Sequence, residues 1–206
     1  MVRSPSPTPA LQLILGSRAD KASPYSYLCS VIDKAGLKHD EGVEVSPLAL
    51  GLVQEISRAV SDGGGAALLI DYGEDFTAAD SLRGFHKHKV VNVLSQPGEV
   101  DVTADVDFSA AAKVALQNDA WVAPLLTQGE FLMRMGIAER LSALIDLPQT
   151  SEEQAEQLFD AFTMLVAPEH MGTKFKALAI SNKSLQGKLV GFADSTPSST
   201  AEQPNI

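Results

Sequence analysis

The 206-residue chain is poor in cysteine and in basic residues. Its single cysteine, Cys29, excludes an intrachain disulfide bond and a zinc site built from cysteine thiolates. We interpret Cys29 as a free structural thiol, which suits a reducing compartment. The chain also lacks any run of about 18 consecutive apolar residues, so the sequence predicts no membrane-spanning helix.

Basic residues are outnumbered by acidic ones, with 16 Lys and Arg against 26 Asp and Glu, and the formal net charge is −10. Nonspecific binding to nucleic acid depends on a basic surface that displaces counterions from phosphates. The charge balance therefore disfavours a nucleic-acid partner and suits a cationic protein substrate. Most of these charges have a simpler interpretation as a solvated surface that keeps the protein soluble.

Hydrophobic residues make up 45% of the chain, which is enough to bury a core in one or at most two domains. We expect residues 11–180 to form one folded domain. Residues 1–10 contain several prolines and few arginines, which predicts a flexible N-terminus and shows neither a transit helix nor a secretory signal. Residues 181–206 end in a stretch rich in Ser, Thr and Pro, which predicts a disordered tail.

The first half of the chain predicts a strand, a helix and a second strand. Residues 43–45 are a short strand candidate, and Ser46 with Pro47 supplies an N-cap and a proline at the first helical position. Three glycines at 63–65 end the helix. Residues 66–70 are uniformly apolar, which predicts a parallel strand covered on both faces and joined to the preceding strand by a right-handed crossover.

Two capping boxes predict helices in the second half. Thr127 with Glu130 begins one helix that runs to Pro148, and residues 151–154 begin another that ends before Pro168. We interpret the apolar stripes of both helices as core residues. Further strands are predicted at residues 11–15, 121–126 and 175–180.

Polar residues cluster after the apolar strand that ends at residue 70. In open α/β sheets, ligands bind in the crevice beyond the carboxyl ends of the strands. We therefore expect a functional site within residues 66–108. The polar and glycine residues of this stretch that we regard as site candidates are Asp71, Tyr72, Gly73, Arg83, His88, Asp105 and Asp107.

A series of short motifs occurs in an order that resembles the MidA-type family. The motifs lie at residues 43–47, 63–65, 69–73, 83–85, 88–89, 97–98, 103–108, 128, 131–132 and 135–137. Each motif alone is weak, but the ordered series covers residues 11–180, which makes chance agreement improbable. Mitochondrial members of this family are protein arginine methyltransferases that support assembly of respiratory complex I.

The resemblance implies an α/β fold that is the C-terminal part of a Rossmann-like class I S-adenosylmethionine-dependent methyltransferase, with added helices. It implies S-adenosyl-L-methionine as cofactor and symmetric dimethylation of a protein arginine as activity. It also implies a mitochondrial location and a complex I subunit as substrate. The chain could also associate with further copies of itself, as a homo-oligomer, or with a missing N-terminal half. We expect no nucleic-acid partner and no membrane-spanning segment.

In this family the cofactor site is built mainly by an N-terminal half with a glycine-rich loop after its first strand. No such loop precedes residue 11, and the glycines at 63–65 precede a strand, where they end a helix. Cofactor-binding residues are therefore unassigned, and we expect the chain to be a C-terminal half. The alternative is a catalytically inactive fragment or interaction module that lacks the cofactor-binding half.

The implied arginine chemistry gives four catalytic candidates. Asp71, Asp105 and Asp107 would orient the substrate guanidinium, because paired hydrogen bonds from its N–H groups to a carboxylate fix the plane of its nitrogens. Tyr72 would present its hydroxyl or its ring to the substrate. Two structural alternatives stay open, since Asp107 could cap the following helix and Tyr72 could be a partly buried tyrosine with a satisfied hydroxyl.

Gly73, Arg83 and His88 are candidates for binding substrate. Gly73 marks a tight bend, and Arg83 would bind a carboxylate or pair with Asp80 or Asp105 to fix the loop. His88 and its neighbour two residues earlier also allow a divalent-metal site. The lysines that flank them indicate an exposed loop, so we expect no metal.

Overall fold

The computed structural model describes residues 2–3, 11–12, 44–76 and 80–193. Val2–Arg3 (β1) and Leu11–Gln12 (β2) pair as short antiparallel strands. The rest of the expected N-terminal segment and of the strand at 11–15 lies outside the described residues, as does Cys29. The chain divides into two compact units, Met1–Ile56 with Asp71–Gln117 and Ser57–Ile70 with Asn118–Ile206, where the sequence predicted one domain.

The first long helix, α1, spans Pro47–Gly63, as its cap predicts. The amide of Ala49 donates to Ser46 Oγ at 3.4 Å, and Gly64 and Gly65 adopt φ of 79° and 101° just after the helix. The strand predicted at residues 43–45 is wrong for Glu44 and Val45, which have no regular structure. The carboxylate of Glu44 instead accepts hydrogen bonds from the 81–82 segment, which holds this part of the chain without a β-ladder.

Strand β3, Ala66–Glu74, continues four residues beyond the predicted apolar run and passes from the second unit into the first. The prediction that residues 66–70 are covered on both faces is wrong, because Leu68 is 47% and Ile70 is 45% exposed. Alternate residues of this part of the strand face solvent. Parallel pairing is observed where Gly73 and Glu74 meet the short strand β7, Val106–Asp107.

The first unit also contains a three-stranded antiparallel sheet in the order β5–β4–β6. Its strands are Arg83–His86 (β4), Lys89–Val91 (β5) and Asp101–Thr103 (β6). Helix α2, Phe108–Gln117, follows β7 directly and buries Phe108, Ala111 and Ala115. The register of β4 sets Arg83 opposite Thr103, which brings residues near 83 and 105 together.

The second unit is centred on β10, Phe175–Ser181, which is almost entirely buried. Strands Trp121–Val122 (β8) and Leu126–Thr127 (β9) both pair with it in antiparallel fashion, so the strand predicted at 121–126 is interrupted. One hydrophobic core cluster of this unit contains Ala123, Leu126, Phe131, Ala177, Ala179 and Phe192.

Three helices follow β9, namely Gln128–Arg134 (α3), Ile137–Ile145 (α4) and Glu152–Val166 (α5). The capping boxes of α3 and α5 are formed as predicted. The single helix predicted from residue 127 to 148 is broken at Gly136, which has φ of 82°. The prediction that the stripe of α5 is core is also wrong, because no residue of α5 is fully buried.

The prediction of a disordered tail from residue 181 is wrong for residues 181–193, which have a defined structure. Asn182 Oδ1 accepts the amide of Ser184 at 2.9 Å, which caps the short 3₁₀ helix Lys183–Leu185. Phe192 is only 6% exposed, and its ring centroid lies 5.2 Å from that of Phe131. Residues 182–193 therefore belong to the folded unit, and residues 194–206 lie outside the described residues. None of the described helices is long and apolar enough to cross a membrane.

Candidate functional site

The first unit brings three of the predicted site residues together. Arg83, at the start of β4, forms an ion pair with Asp105, which lies between β6 and β7. The guanidinium carbon of Arg83 lies 5.4 Å from the centroid of the Tyr72 ring on β3. The Arg83 and Asp105 side chains are 42% and 24% exposed, so the group lies at the surface. We call the side chains of Tyr72 and Asp105 the guanidinium cradle.

Glu44 and Ser81 support this cradle, and neither residue was predicted from the sequence to belong to the site. Glu44 Oε1 accepts the amides of Ser81 and Leu82 at 3.0 and 3.2 Å, and its other oxygen accepts the Ser81 hydroxyl. Ser81 Oγ in turn accepts the amide of Asp105 at 2.9 Å. This chain of bonds fixes the backbone on both sides of the Arg83–Asp105 pair. A carboxylate 37 residues away in sequence leaves no periodic signal that could have revealed it.

The other two aspartates each accept hydrogen bonds from residues close to them in sequence. Asp107 Oδ1 accepts the amide of Ala110 at 2.8 Å and the hydroxyl of Ser109 at 2.7 Å, so it acts as the N-cap of α2. Asp71 is exposed within β3, and its Oδ1 accepts the amide of Tyr72 at 2.8 Å. Asp71 was expected at the end of the strand, but β3 continues to Glu74. Of the three aspartates, Asp105 is the one whose ion pair with the Arg83 guanidinium is described above.

Gly73 was expected to mark a bend, and the structure shows that this is wrong. It lies inside β3, paired in parallel register with Val106, and its φ of 158° is one that residues with a side chain rarely adopt. A Cβ at this position would collide with the backbone of Val106. The glycine is needed for close approach of two strands, and this approach positions the segment that carries Asp105.

His88 does not join the cradle. It lies in the exposed turn between β4 and β5, at the opposite end of β4 from Arg83, with φ of 61°. His86, at the end of β4, has its Nδ1 2.8 Å from the carbonyl oxygen of Glu99. Within the described part of the chain, no three His, Cys, Asp or Glu side chains are grouped so as to hold a metal ion.

The cradle has the chemistry needed to hold a cationic, planar group. A carboxylate binds a guanidinium through charge-assisted hydrogen bonds, and an aromatic ring attracts its positive charge through the ring face. In the structure the occupant is the side chain of Arg83. The two side chains of the cradle therefore hold the guanidinium of Arg83.

Comparison with known proteins identifies related sequences. Residues 3–125 match a family described as "Putative S-adenosyl-L-methionine-dependent methyltransferase". The mitochondrial protein arginine methyltransferase NDUFAF7 of Rattus norvegicus is 41% identical over 155 residues, which cover 74% of this chain and 35% of that protein. The protein of the same name from Homo sapiens is 40% identical over 158 residues, which cover 75% and 35%. The chain thus spans 35% of the length of these relatives.

Two crystal structures from Burkholderia thailandensis resemble the fold. One, of an uncharacterized protein, is 26% identical with a TM-score of 0.68, covering 84% of this chain and 47% of the other. The second contains S-adenosyl-homocysteine and is 25% identical with a TM-score of 0.69, covering 85% and 46%. These similarities confirm the α/β methyltransferase-like fold class predicted from the sequence.

Proposed function

This chain belongs to the family of S-adenosyl-L-methionine-dependent methyltransferases, and we propose that it takes part in methylation of arginine side chains in proteins. The names and identities of its curated relatives support this activity. The structural observation that carries it is the cradle, in which Asp105 and Tyr72 hold the guanidinium of Arg83. Side chains that bind one arginine by these contacts have the chemistry to bind a substrate arginine.

The residues of the cradle would act on the substrate side of the reaction. Methyl transfer requires a guanidinium nitrogen whose lone pair is aimed at the methyl donor. The carboxylate of Asp105 would fix the plane of the guanidinium, and the ring of Tyr72 would cover one face of it. The substrate arginine would displace Arg83, since the two side chains present identical charge and donors.

The cofactor in this proposal is S-adenosyl-L-methionine, after the family description and the S-adenosyl-homocysteine in the related crystal structure. Residues 44–76 and 80–193 contain no glycine-rich turn between the end of a strand and the start of a helix, which is the usual amide cradle for such a ligand. The described residues therefore do not by themselves fit the cofactor. We assign no cofactor-binding residue and derive no step through it.

The finer expectations from the resemblance complete the proposal. The product would be symmetric dimethylarginine, and the substrate would be a subunit of respiratory complex I in the mitochondrion. The mitochondrial location is supported by the names of the curated relatives. The net charge of −10 suits a cationic, arginine-bearing protein partner.

A chimera tests the activity. This chain replaces the matching segment of the rat relative, and labelled methyl groups are followed from S-adenosyl-L-methionine into proteins of a mitochondrial extract. Acid hydrolysis and chromatography separate monomethylarginine and the two dimethylarginines, and mass spectrometry identifies the methylated proteins. We expect symmetric dimethylarginine in a complex I subunit.

Two variants of the chimera connect the activity with the cradle. Asp105→Asn should lower the methylation rate by about tenfold or more, because the carboxylate that orients the guanidinium is lost. Asp101→Asn, an exposed residue of β6, is the matched control and should leave the rate unchanged. A folded chimera that binds the cofactor and produces no methylarginine would contradict the proposed activity, and asymmetric dimethylarginine would contradict the proposed product.

A further inference from the structure

We propose that a groove between α3 and α5 binds an amphipathic segment of a partner protein, in which apolar side chains stand beside Lys or Arg. This interaction surface goes beyond the proposed methylation and uses none of the cradle residues. The groove has a volume of about 460 Å³ and mainly apolar walls. Its apolar lining includes Met133 of α3, Phe162 and Val166 of α5, and Pro168 of the turn that follows.

The groove is held in shape by backbone contacts. Gln128 Nε2 donates to the carbonyl oxygen of Leu165 at 2.9 Å, which ties the start of α3 to the end of α5. Gly129 allows close packing, since a Cβ there would lie 2.7 Å from the carbonyl oxygen of Val166. A Cβ at Gly172 would collide with the same carbonyl group. The groove is therefore a preformed feature, and a ligand need not order its walls.

Helix α5 extends the groove into a wider apolar surface. None of its 15 residues is fully buried, although α3 and α4 contact it. Phe159 is 57% exposed, and its ring centroid lies 6.4 Å from that of Phe162, which lines the groove. Large exposed apolar side chains that adjoin a preformed groove are typical of protein interaction sites.

The charge of α5 decides which occupant fits. Exposed carboxylates line its N-terminal two-thirds, and the helix contains no Lys or Arg; the acidic residues are Glu152, Glu153, Glu156 and Asp160. A second copy of the chain joined through this face would oppose identical carboxylates, because a two-fold interface presents the same patch twice. Nucleic acid would be repelled. A basic, amphipathic protein segment satisfies both the apolar groove and the acidic helix.

The probe for this surface is a fluorescein-labelled synthetic helical peptide of Leu and Lys, compared with a peptide in which Glu replaces every Lys. Binding to the full chain is measured by fluorescence anisotropy, without cofactor or arginine substrate. We expect the Leu/Lys peptide to bind at least about tenfold more tightly than the Leu/Glu peptide. Equal binding of the two peptides, or no binding of either, would overturn the proposal.

Matched variants place the binding on α5. Phe159→Ala and Glu156→Lys should each weaken binding of the Leu/Lys peptide by about fivefold or more. Leu116→Ala, which removes a similarly exposed apolar side chain from α2, and Glu139→Lys, which reverses an exposed charge on α4, should leave it unchanged. Circular dichroism verifies that all four variants fold.

Two results would refute the assignment to a partner segment. If Glu139→Lys weakens binding as much as Glu156→Lys does, the peptide recognises only net charge. If sedimentation shows a dimer that Phe159→Ala dissociates, the face belongs to a second copy of the chain. Neither result bears on arginine methylation, so the docking surface and the proposed activity can fail independently.

Discussion

Arg83 and Asp105, 22 residues apart in sequence, form an ion pair that joins the start of β4 to the segment before β7. Both side chains are partly exposed, so solvent screens their attraction. We expect a double-mutant cycle with Arg83→Ala and Asp105→Ala to give a coupling free energy of about 0.5–1 kcal/mol in urea unfolding. A coupling near zero would show that the pair does not act in the folded protein.

Removal of the internal guanidinium should open the cradle. In Arg83→Ala the carboxylate of Asp105 is free of its partner, so a small guanidinium ligand such as N-acetyl-arginine amide should bind several-fold more tightly than to the unaltered chain. Isothermal titration calorimetry measures the affinity, and the double variant Arg83→Ala with Asp105→Asn should lose the gain. Unchanged affinity in Arg83→Ala would contradict the role assigned to the cradle.

Glu44 should contribute more to stability than an ordinary surface glutamate. Glu44→Gln replaces an acceptor of three hydrogen bonds, so the free energy of unfolding should fall by about 1–3 kcal/mol. Glu55→Gln, at an exposed position of α1, is the control and should change it by less than about 0.5 kcal/mol. If the two substitutions lowered the free energy of unfolding equally in denaturant titrations, the supporting role of Glu44 would be contradicted.

Two glycine substitutions should act in opposite directions. Gly73→Ala places a methyl group against the backbone of Val106 and should destabilise the protein by about 2 kcal/mol or more. Gly51→Ala, inside α1 with open space around it, should stabilise the protein by about 0.5–1 kcal/mol. Thermal unfolding of both variants tests the contrast, and a neutral Gly73→Ala would contradict the close approach of β3 and β7.

A substitution of Phe192 tests whether residues 182–193 belong to the fold. Phe192→Ala removes a buried ring from the core of the second unit and should lower the free energy of unfolding by about 3–5 kcal/mol. Val190→Ala, where the side chain is exposed, should have little effect. If both variants lost only a similar, small free energy of unfolding, the result would support the prediction that the tail is disordered from residue 181.

Glu130 links the stability of α3 to pH. The hydrogen bond from the Thr127 amide, and then that from the Thr127 hydroxyl, lower the pKa of Glu130 from its ordinary value of 4.5. Because the folded-state pKa is the lower one, the stabilisation is present above about pH 4.5 and is lost as pH falls through the folded-state pKa. In Glu130→Gln this part of the acid destabilisation should be absent, as urea titrations at several pH values would show. An unchanged pH dependence would exclude Glu130 as its source.

The elements predicted well from sequence are those with strong local signals. The cap at Ser46 and the capping box at 151–154 predicted the starts of α1 and α5, because a cap depends on residues within three positions of one another. The break at Gly136 was missed, since helical spacing of apolar residues continues across it. The apolar stripe of α5 predicted burial that the other described elements do not provide.

The candidate site, too, could be predicted from the sequence only in part. Its location within residues 66–108 and the candidates Tyr72, Arg83 and Asp105 came from the sequence. The different roles of Asp105 and Asp107 could not be predicted from the sequence, although the two residues are only two positions apart. Asp107 caps a helix while Asp105 holds a guanidinium, and that difference depends on the strand register between β4 and β6.

The sequence by itself determined the acidic character, the main helix starts and the family, and it predicted the stretch that carries the candidate site. Tertiary structure alone decided that Glu44 supports Ser81, that Gly73 permits strand contact, and that α3 and α5 leave a groove. The physical reason is the distance along the sequence over which each kind of interaction acts. Caps and apolar periodicity act between neighbours in sequence, whereas ion pairs, close backbone approach and groove walls join residues that only the completed fold brings together.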